Sequence, residues 1–123
     1  MVELKTKPVE MVEQAINFMY GLDIEEGIAD YQGLFDIAEF LLMQDFKKEV
    51  DSYTMKNAKV TRENLVEMCQ LAEDWGAALL ADKCARFIVG TPDSPLEEVA
   101  KMPIVMASVV RKTKEELAKY TNV

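Results

Sequence analysis

At 123 residues, half of them apolar and 29% charged, the chain has the composition of one globular domain, or one and a fraction. A formal net charge of −8 argues against a nucleic-acid backbone or an anionic membrane surface as partner, because both need clustered Lys and Arg. Without histidine there is no Ser–His or Cys–His nucleophile pair and no His-containing metal site, and two cysteines alone cannot close a structural zinc site.

The opening Met1-Val2-Glu3-Leu4-Lys5 lacks the apolar stretch of a secretory leader, and no run reaches the ~20 apolar residues of a membrane span. Val2 to Thr6 alternates and reads as a short strand or edge segment. Pro8 opens a first helix, where its missing N–H costs nothing. Val9, Val12, Ile16, Met19 and Tyr20 recur at helical spacing as its apolar face, with Ala15 on the same side, and Gly21 stops it. Residues 22–30 form an acidic connector.

A second helix is expected from Tyr31 to Met43, with Leu34, Ile37, Ala38 and Leu41 on one face. Asp45 fits the N-cap of a third, which turns Phe46, Val50 and Tyr53 inward and ends around Lys56–Lys59. Thr61 is the next N-cap, with Glu63 in the first turn and Leu65, Met68, Cys69, Ala72 and Trp75 as the stripe. Gly76 breaks that pattern. A fifth helix carries Leu80, Cys84, Phe87 and Ile88 to Gly90. After a turn at Thr91-Pro92-Asp93, Ser94-Pro95-Leu96-Glu97 reads as a capping box before a short helix to Lys101. Pro103 starts a last helix reaching about Tyr120, whose charged end, 111–116, is a solvated face or a fraying tail.

Little catalytic chemistry is on offer. The glycines are too scattered for a phosphate-binding loop, and neighbours such as Glu25-Glu26 and Glu97-Glu98 point to different sides of a helix, as solvated residues do. Cys69 and Cys84 both fall on apolar faces and read as buried free thiols of an intracellular, reducing compartment, cytoplasmic or nuclear. The chain therefore reads as a mainly all-α interaction module, not an enzyme, with no catalytic, cofactor or metal site.

The two helix pairs 31–57 and 61–90 match at an offset of 34 residues. Leu34 pairs with Met68, Ile37 with Leu71, Ala38-Glu39 with Ala72-Glu73, and Leu41 with Trp75. Phe46 then pairs with Leu80, Val50 with Cys84, and Tyr53 with Phe87. Two such hairpins are expected to stack side by side. The period equals that of a tetratricopeptide repeat, but that family's Trp-Leu-Gly-Tyr and Ala-Phe-Pro pattern is missing. A second clue is excess hydrophobicity. Phe40-Leu41-Leu42-Met43 cannot all face one side of a helix, and Phe18-Met19-Tyr20 and Ile104-Val105-Met106-Ala107 are similar. Either these helices are central in a bundle or another chain covers one side.

Phe18-Met19-Tyr20-Gly21 after an amphipathic helix resembles the Phe-Ile-Tyr-Thr-Gly signature of BTB/POZ domains. Leu34, then Ile37-Ala38-Glu39-Phe40-Leu41, then Phe46 and Val50, is similar to the next two BTB helices. Asn64-Leu65, Leu71-Ala72-Glu73 and Leu80 through Cys84 to Phe87-Ile88 resemble the helix pair after that domain, the 3-box or start of a BACK domain. The arrangement looks closest to the MATH-and-BTB adaptors. The resemblance covers about residues 2–110. It implies helical hairpins stacked as in the C-terminal half of a BTB fold (1–58), a 3-box or BACK-like hairpin (59–90) and a helical tail (91–123), with Val2–Lys5 as a possible edge strand.

The resemblance also implies a substrate adaptor of a cullin-3 ubiquitin ligase. Its partners would be the cullin-3 N-terminal region and a second BTB protein. The cullin-facing hairpin then falls near Leu41, Leu42, Met43 and Asp45, and the facing 3-box positions at Glu63, Glu67 and Gln70. The strands, dimerisation helix and cullin-inserting loop of the first BTB half are missing, so a fragment, a shortened paralogue or a product that competes with full-length adaptors is expected, with an unusually apolar face around Phe35, Phe40, Leu42 and Met43. The alternative is a free-standing helical scaffold for an unrelated peptide or protein.

Overall fold

In a computed structural model of the chain, residues 8–91 and 96–121 are described. Among them are seven α-helices and no strand: α1 (Val9–Met19), α2 (Tyr31–Phe40), α3 (Gln44–Asn57), α4 (Leu65–Trp75), α5 (Ala78–Gly90), α6 (Leu96–Val99) and α7 (Pro103–Thr121). The expected strand at Val2–Thr6, and the start of the expected capping box at Ser94-Pro95, lie outside the described residues. The chain divides into two compact units, Met1–Ala58 and Lys59–Val123.

In the first unit, α1 starts where proline permits. The Pro8 carbonyl accepts from the N–H groups of Met11 and Val12 at 3.1 and 3.2 Å. The face it buries is not the expected one. Val9, Met19 and Tyr20 are exposed, at 72%, 64% and 80%; of the expected face Ala15 is buried, and Met11 and Gln14 join it. Phe18 stays on the inner side and packs its ring on Phe46, centroids 5.2 Å apart. Both sides of α1 are apolar, so periodicity could not choose between them; the connector does. Ile24 and Ile28 are buried, and the Gln14 side chain accepts from the Glu25 N–H at 3.0 Å, which satisfies a buried amide.

Asp30 caps α2 by accepting from the Gly33 N–H at 3.0 Å. A Cβ at residue 33 would lie 2.5 Å from the Asp30 Oδ2, so a side chain there would push the capping carboxylate aside. The helix stops at Phe40 rather than Met43, because Leu42 is left-handed with φ +55°. The Met43 N–H then reaches the Ala38 carbonyl at 2.9 Å and the Leu42 N–H the Glu39 carbonyl at 3.1 Å, the two bonds of a Schellman stop. The chain reverses so quickly that α3 begins at Gln44. Asp45 is therefore in the first turn of α3, not its N-cap; Met43 holds the cap position without a side-chain bond. Phe46, Val50 and Tyr53 point inward as expected, joined by Thr54, whose hydroxyl donates to the Val50 carbonyl at 2.8 Å.

In the second unit, Thr61 and Asn64 form a reciprocal cap. The Thr61 Oγ1 accepts from the Asn64 N–H at 3.3 Å, and the Asn64 Oδ1 accepts from the Thr61 N–H at 2.7 Å. Thr61 thus caps a preliminary turn, and regular helix follows from Leu65. Leu65, Cys69, Leu71 and Ala72 are buried, with Met68 and Trp75 half-buried. Gly76, at φ +62°, ends α4, and the Ala77 N–H closes on the Ala72 carbonyl at 2.9 Å. α5 buries Leu80, Ala81, Cys84, Ala85 and Ile88. α7 packs against α5 and α4 and buries Val105, Ser108 and Val109. Its charged end is a solvated helix face, with Lys112 paired to Glu115 at 3.4 Å and Lys119 to Glu116 at 3.1 Å. Arg111 ties α7 to Asp82 on α5. Among the described residues, no helix is long and apolar enough to cross a membrane.

Candidate partner-binding surface

The turn between α2 and α3 brings Leu41, Leu42, Met43 and Asp45 together. Leu42 is 78% exposed, Asp45 is exposed, and Leu41 and Met43 are half-buried. A left-handed conformation costs an L-residue with a side chain roughly 1–2 kcal/mol, and glycine or asparagine usually takes it. Here the position carries a leucine that projects into solvent instead of repaying its strain by burial. The turn is also braced. The Lys47 ammonium on α3 donates to the Glu39 carboxylate on α2 at 3.0 Å. The result is an exposed apolar knob, flanked by Phe40, which is 36% exposed. Phe35 was expected on the same surface and is not there; it is fully buried among the core residues of the first unit.

In the second unit, Glu63, Glu67 and Gln70 are exposed along one side of the α4 entry, at spacings of four and three residues. They lie away from the buried Leu65, Cys69 and Ala72. The Gln70 amide donates to Asp74 at 2.7 Å, extending the row with a further carboxylate. This edge is acidic and hydrophilic, able to meet a basic partner, whereas the α2–α3 turn offers apolar contact.

Two structural features escaped the sequence. The left-handed Leu42 is one, although the 34-residue register aligns it with Gly76 and so carried a signal. The other is Glu73, whose carboxylate accepts from the Ile104 N–H at 2.9 Å and the Val105 N–H at 3.2 Å, capping α7 from a different helix. No local pattern announces a cap supplied from 31 residues away.

Two groups have displaced ionisation. Burial, reinforced by the neighbouring Tyr31, raises Tyr53 above the ordinary tyrosine value. Its hydroxyl donates to the Ile28 carbonyl at 2.6 Å and also lies 3.1 Å from that of Glu25. Cys69 and Cys84 are free, buried and hydrogen-bonded to each other; that contact, together with burial, pushes the Cys84 thiol far above the usual range. A thiol held protonated is a poor nucleophile.

No known protein family, curated protein or solved structure matches the chain.

Proposed function

We propose that the chain is a non-catalytic protein–protein interaction module, acting in a substrate adaptor of a cullin-3 ubiquitin ligase through the α2–α3 turn. The observation that carries this reading is Leu42, an exposed leucine in a strained left-handed turn. Strain and apolar exposure at one residue both work against the isolated fold, and a partner that buries the side chain removes the exposure and so offsets the strain. The position coincides with the cullin-facing hairpin implied by the BTB resemblance. Glu63, Glu67 and Gln70, exposed in the second unit, are the 3-box positions that the same resemblance implies, and the buried free thiols suit a cytoplasmic or nuclear protein.

Calorimetric titration of the full chain with the cullin-3 N-terminal region tests this reading, with and without an intact BTB protein present. Binding is expected, with at least about a tenfold loss in Leu42→Gly. That variant keeps the turn and relieves its strain, so its loss of affinity is not a loss of fold. No binding above background in either condition overturns the reading. A second reading, a free-standing scaffold for an unrelated partner, is favoured by a separate exposed surface on α1.

A further inference from the structure

Helix α1 is apolar on two opposite sides, and among the described residues only one of them is covered. Met11 and Ala15 are buried, and Gln14 between them is satisfied by the connector. On the opposite side Val9, Ile16 and Tyr20 recur at spacings of seven and four residues, 72%, 41% and 80% exposed. Met19 lies beside them, and Leu22 continues the surface just past the helix end. Scattered apolar residues on a surface are ordinary; several aligned along one side of a helix mark an interaction site. Leu42 is not part of this stripe, being set in the α2–α3 turn.

The charge around the stripe says what covers it. Between residues 8 and 40 the chain carries eight Asp and Glu and no Lys or Arg. Glu10 and Glu13 on α1, and Asp23, Glu25 and Glu26 just beyond it, are exposed. A second copy of this face would set carboxylates against carboxylates, and an anionic lipid or nucleic-acid surface is repelled for the same reason. A partner that is apolar along its centre and basic along its edges gains on both counts. The length agrees with a helix: α1 has 11 residues, about 16 Å or three turns, enough for anchors at i, i+4 and i+7. We infer that the outer face of α1 is a docking site for an amphipathic helix of a partner protein whose apolar stripe is flanked by lysine or arginine. This inference goes beyond the adaptor reading and does not depend on it.

Two synthetic peptides test the inference against the full chain by fluorescence anisotropy: an amphipathic leucine–lysine helix, and its counterpart with every lysine replaced by glutamate. The lysine peptide is expected to bind at least about tenfold tighter, and more weakly as salt rises. The combined variant Val9→Ser, Ile16→Ser, Tyr20→Ser keeps every charge and removes only exposed apolar groups, so its melting temperature should hold while affinity falls about tenfold or more. Leu42→Ser should bind the peptide as the parent does, which separates this face from the α2–α3 turn. Equal binding of the two peptides, or none, overturns the proposal. So does undiminished binding by the triple-serine variant, which would reduce the effect to charge alone. A dimer in sedimentation equilibrium that the triple-serine variant dissolves would assign the face to a second copy instead, and likewise overturn it.

Discussion

Counted 34 residues apart, the α2–α3 and α4–α5 hairpins bury the same positions: Ile37 and Leu71, Ala38 and Ala72, Phe46 and Leu80, Val50 and Cys84. Each first helix ends in a left-handed residue that reverses the chain, and each second helix starts within two residues of it. They part at the residue making that reversal. Gly76 takes φ +62° with no Cβ to object; Leu42 takes φ +55° with one, and leaves its side chain in solvent. One motif is thus built once for stability alone and once with a residue that stability does not favour. Where two halves of a molecule solve the same packing problem, the position at which one departs from the easier solution is where function is best sought.

The largest effects should come from the shared core. Phe46 and Leu80 are both fully buried at matched positions. Phe46→Ala is expected to cost about 3–5 kcal/mol and Leu80→Ala about 2–5, read from urea midpoints. Phe46 should exceed Leu80, because it also loses its ring contact with Phe18. A cost below about 1 kcal/mol at either residue would remove it from the core and break the correspondence.

Exchanging the two turn residues sharpens the contrast, since the signs should oppose. Gly76→Leu forces a side chain into the left-handed region and should lose about 1 kcal/mol. Leu42→Gly relieves that strain but loosens the unfolded chain, and should gain about 0.5–1 kcal/mol. Thermal melts of both proteins decide it. A loss at Leu42→Gly as large as at Gly76→Leu would mean that the leucine side chain stabilises the fold and is not held in reserve for a partner.

Tyr53 and Phe87 differ by one hydroxyl at matched positions. Tyr53→Phe leaves the Ile28 carbonyl without its donor and should cost about 1 kcal/mol. The alkaline limb adds a second readout. Burial raises Tyr53 above its ordinary value of 10.0, so the folded state holds the proton more tightly than the unfolded state. That stabilisation is whole below the unfolded value and is lost as pH rises through the higher folded one. The parent should therefore lose stability above about pH 10, and Tyr53→Phe should lose less of it over the same range.

Much of this was legible beforehand because it is local. Pro8, Gly76 and Pro103 punctuate the chain through their own backbone chemistry, and the helices begin or end at them. The run Phe40-Leu41-Leu42-Met43 could not all face one side of a helix, which left either a central helix or an apolar outer face, and Leu42 is exposed. Glu63, Glu67 and Gln70, placed on an outer side by the BTB resemblance, are exposed, the first in the turn before α4 and the other two on it. What was not legible is non-local. The inward side of α1 is set by Ile24, Ile28 and the Gln14 bond to the connector, none of which enters the helix's own pattern. Phe35 looked like part of the exposed excess, yet it is the residue the first unit closes over. Asp45 missed its cap because a leucine took a conformation that leucine rarely adopts, and sequence rules reserve that conformation for glycine.

The smallest effects test whether the register carries function as well as packing. Glu39 and Glu73 match in sequence but not in work. Glu39 makes one ion pair across its own turn with Lys47, and both side chains are partly exposed to solvent. Exposed pairs of this kind contribute about 0–1 kcal/mol, so Glu39→Ala should change stability by a few tenths. Glu73 instead receives two backbone N–H groups at the start of α7. Caps of this kind contribute about 0.5–2 kcal/mol, and Glu73→Ala should cost about 1. Glu73→Gln should recover part of that cost, since an amide oxygen still accepts while the charge facing the helix dipole is gone. Hydrogen exchange at the Ile104 and Val105 amides reports on the bonds directly. Both should exchange faster in Glu73→Ala and stay unchanged in Glu39→Ala. Equal small effects at the two residues would mean that the α7 cap adds nothing its solvated helix start did not already have.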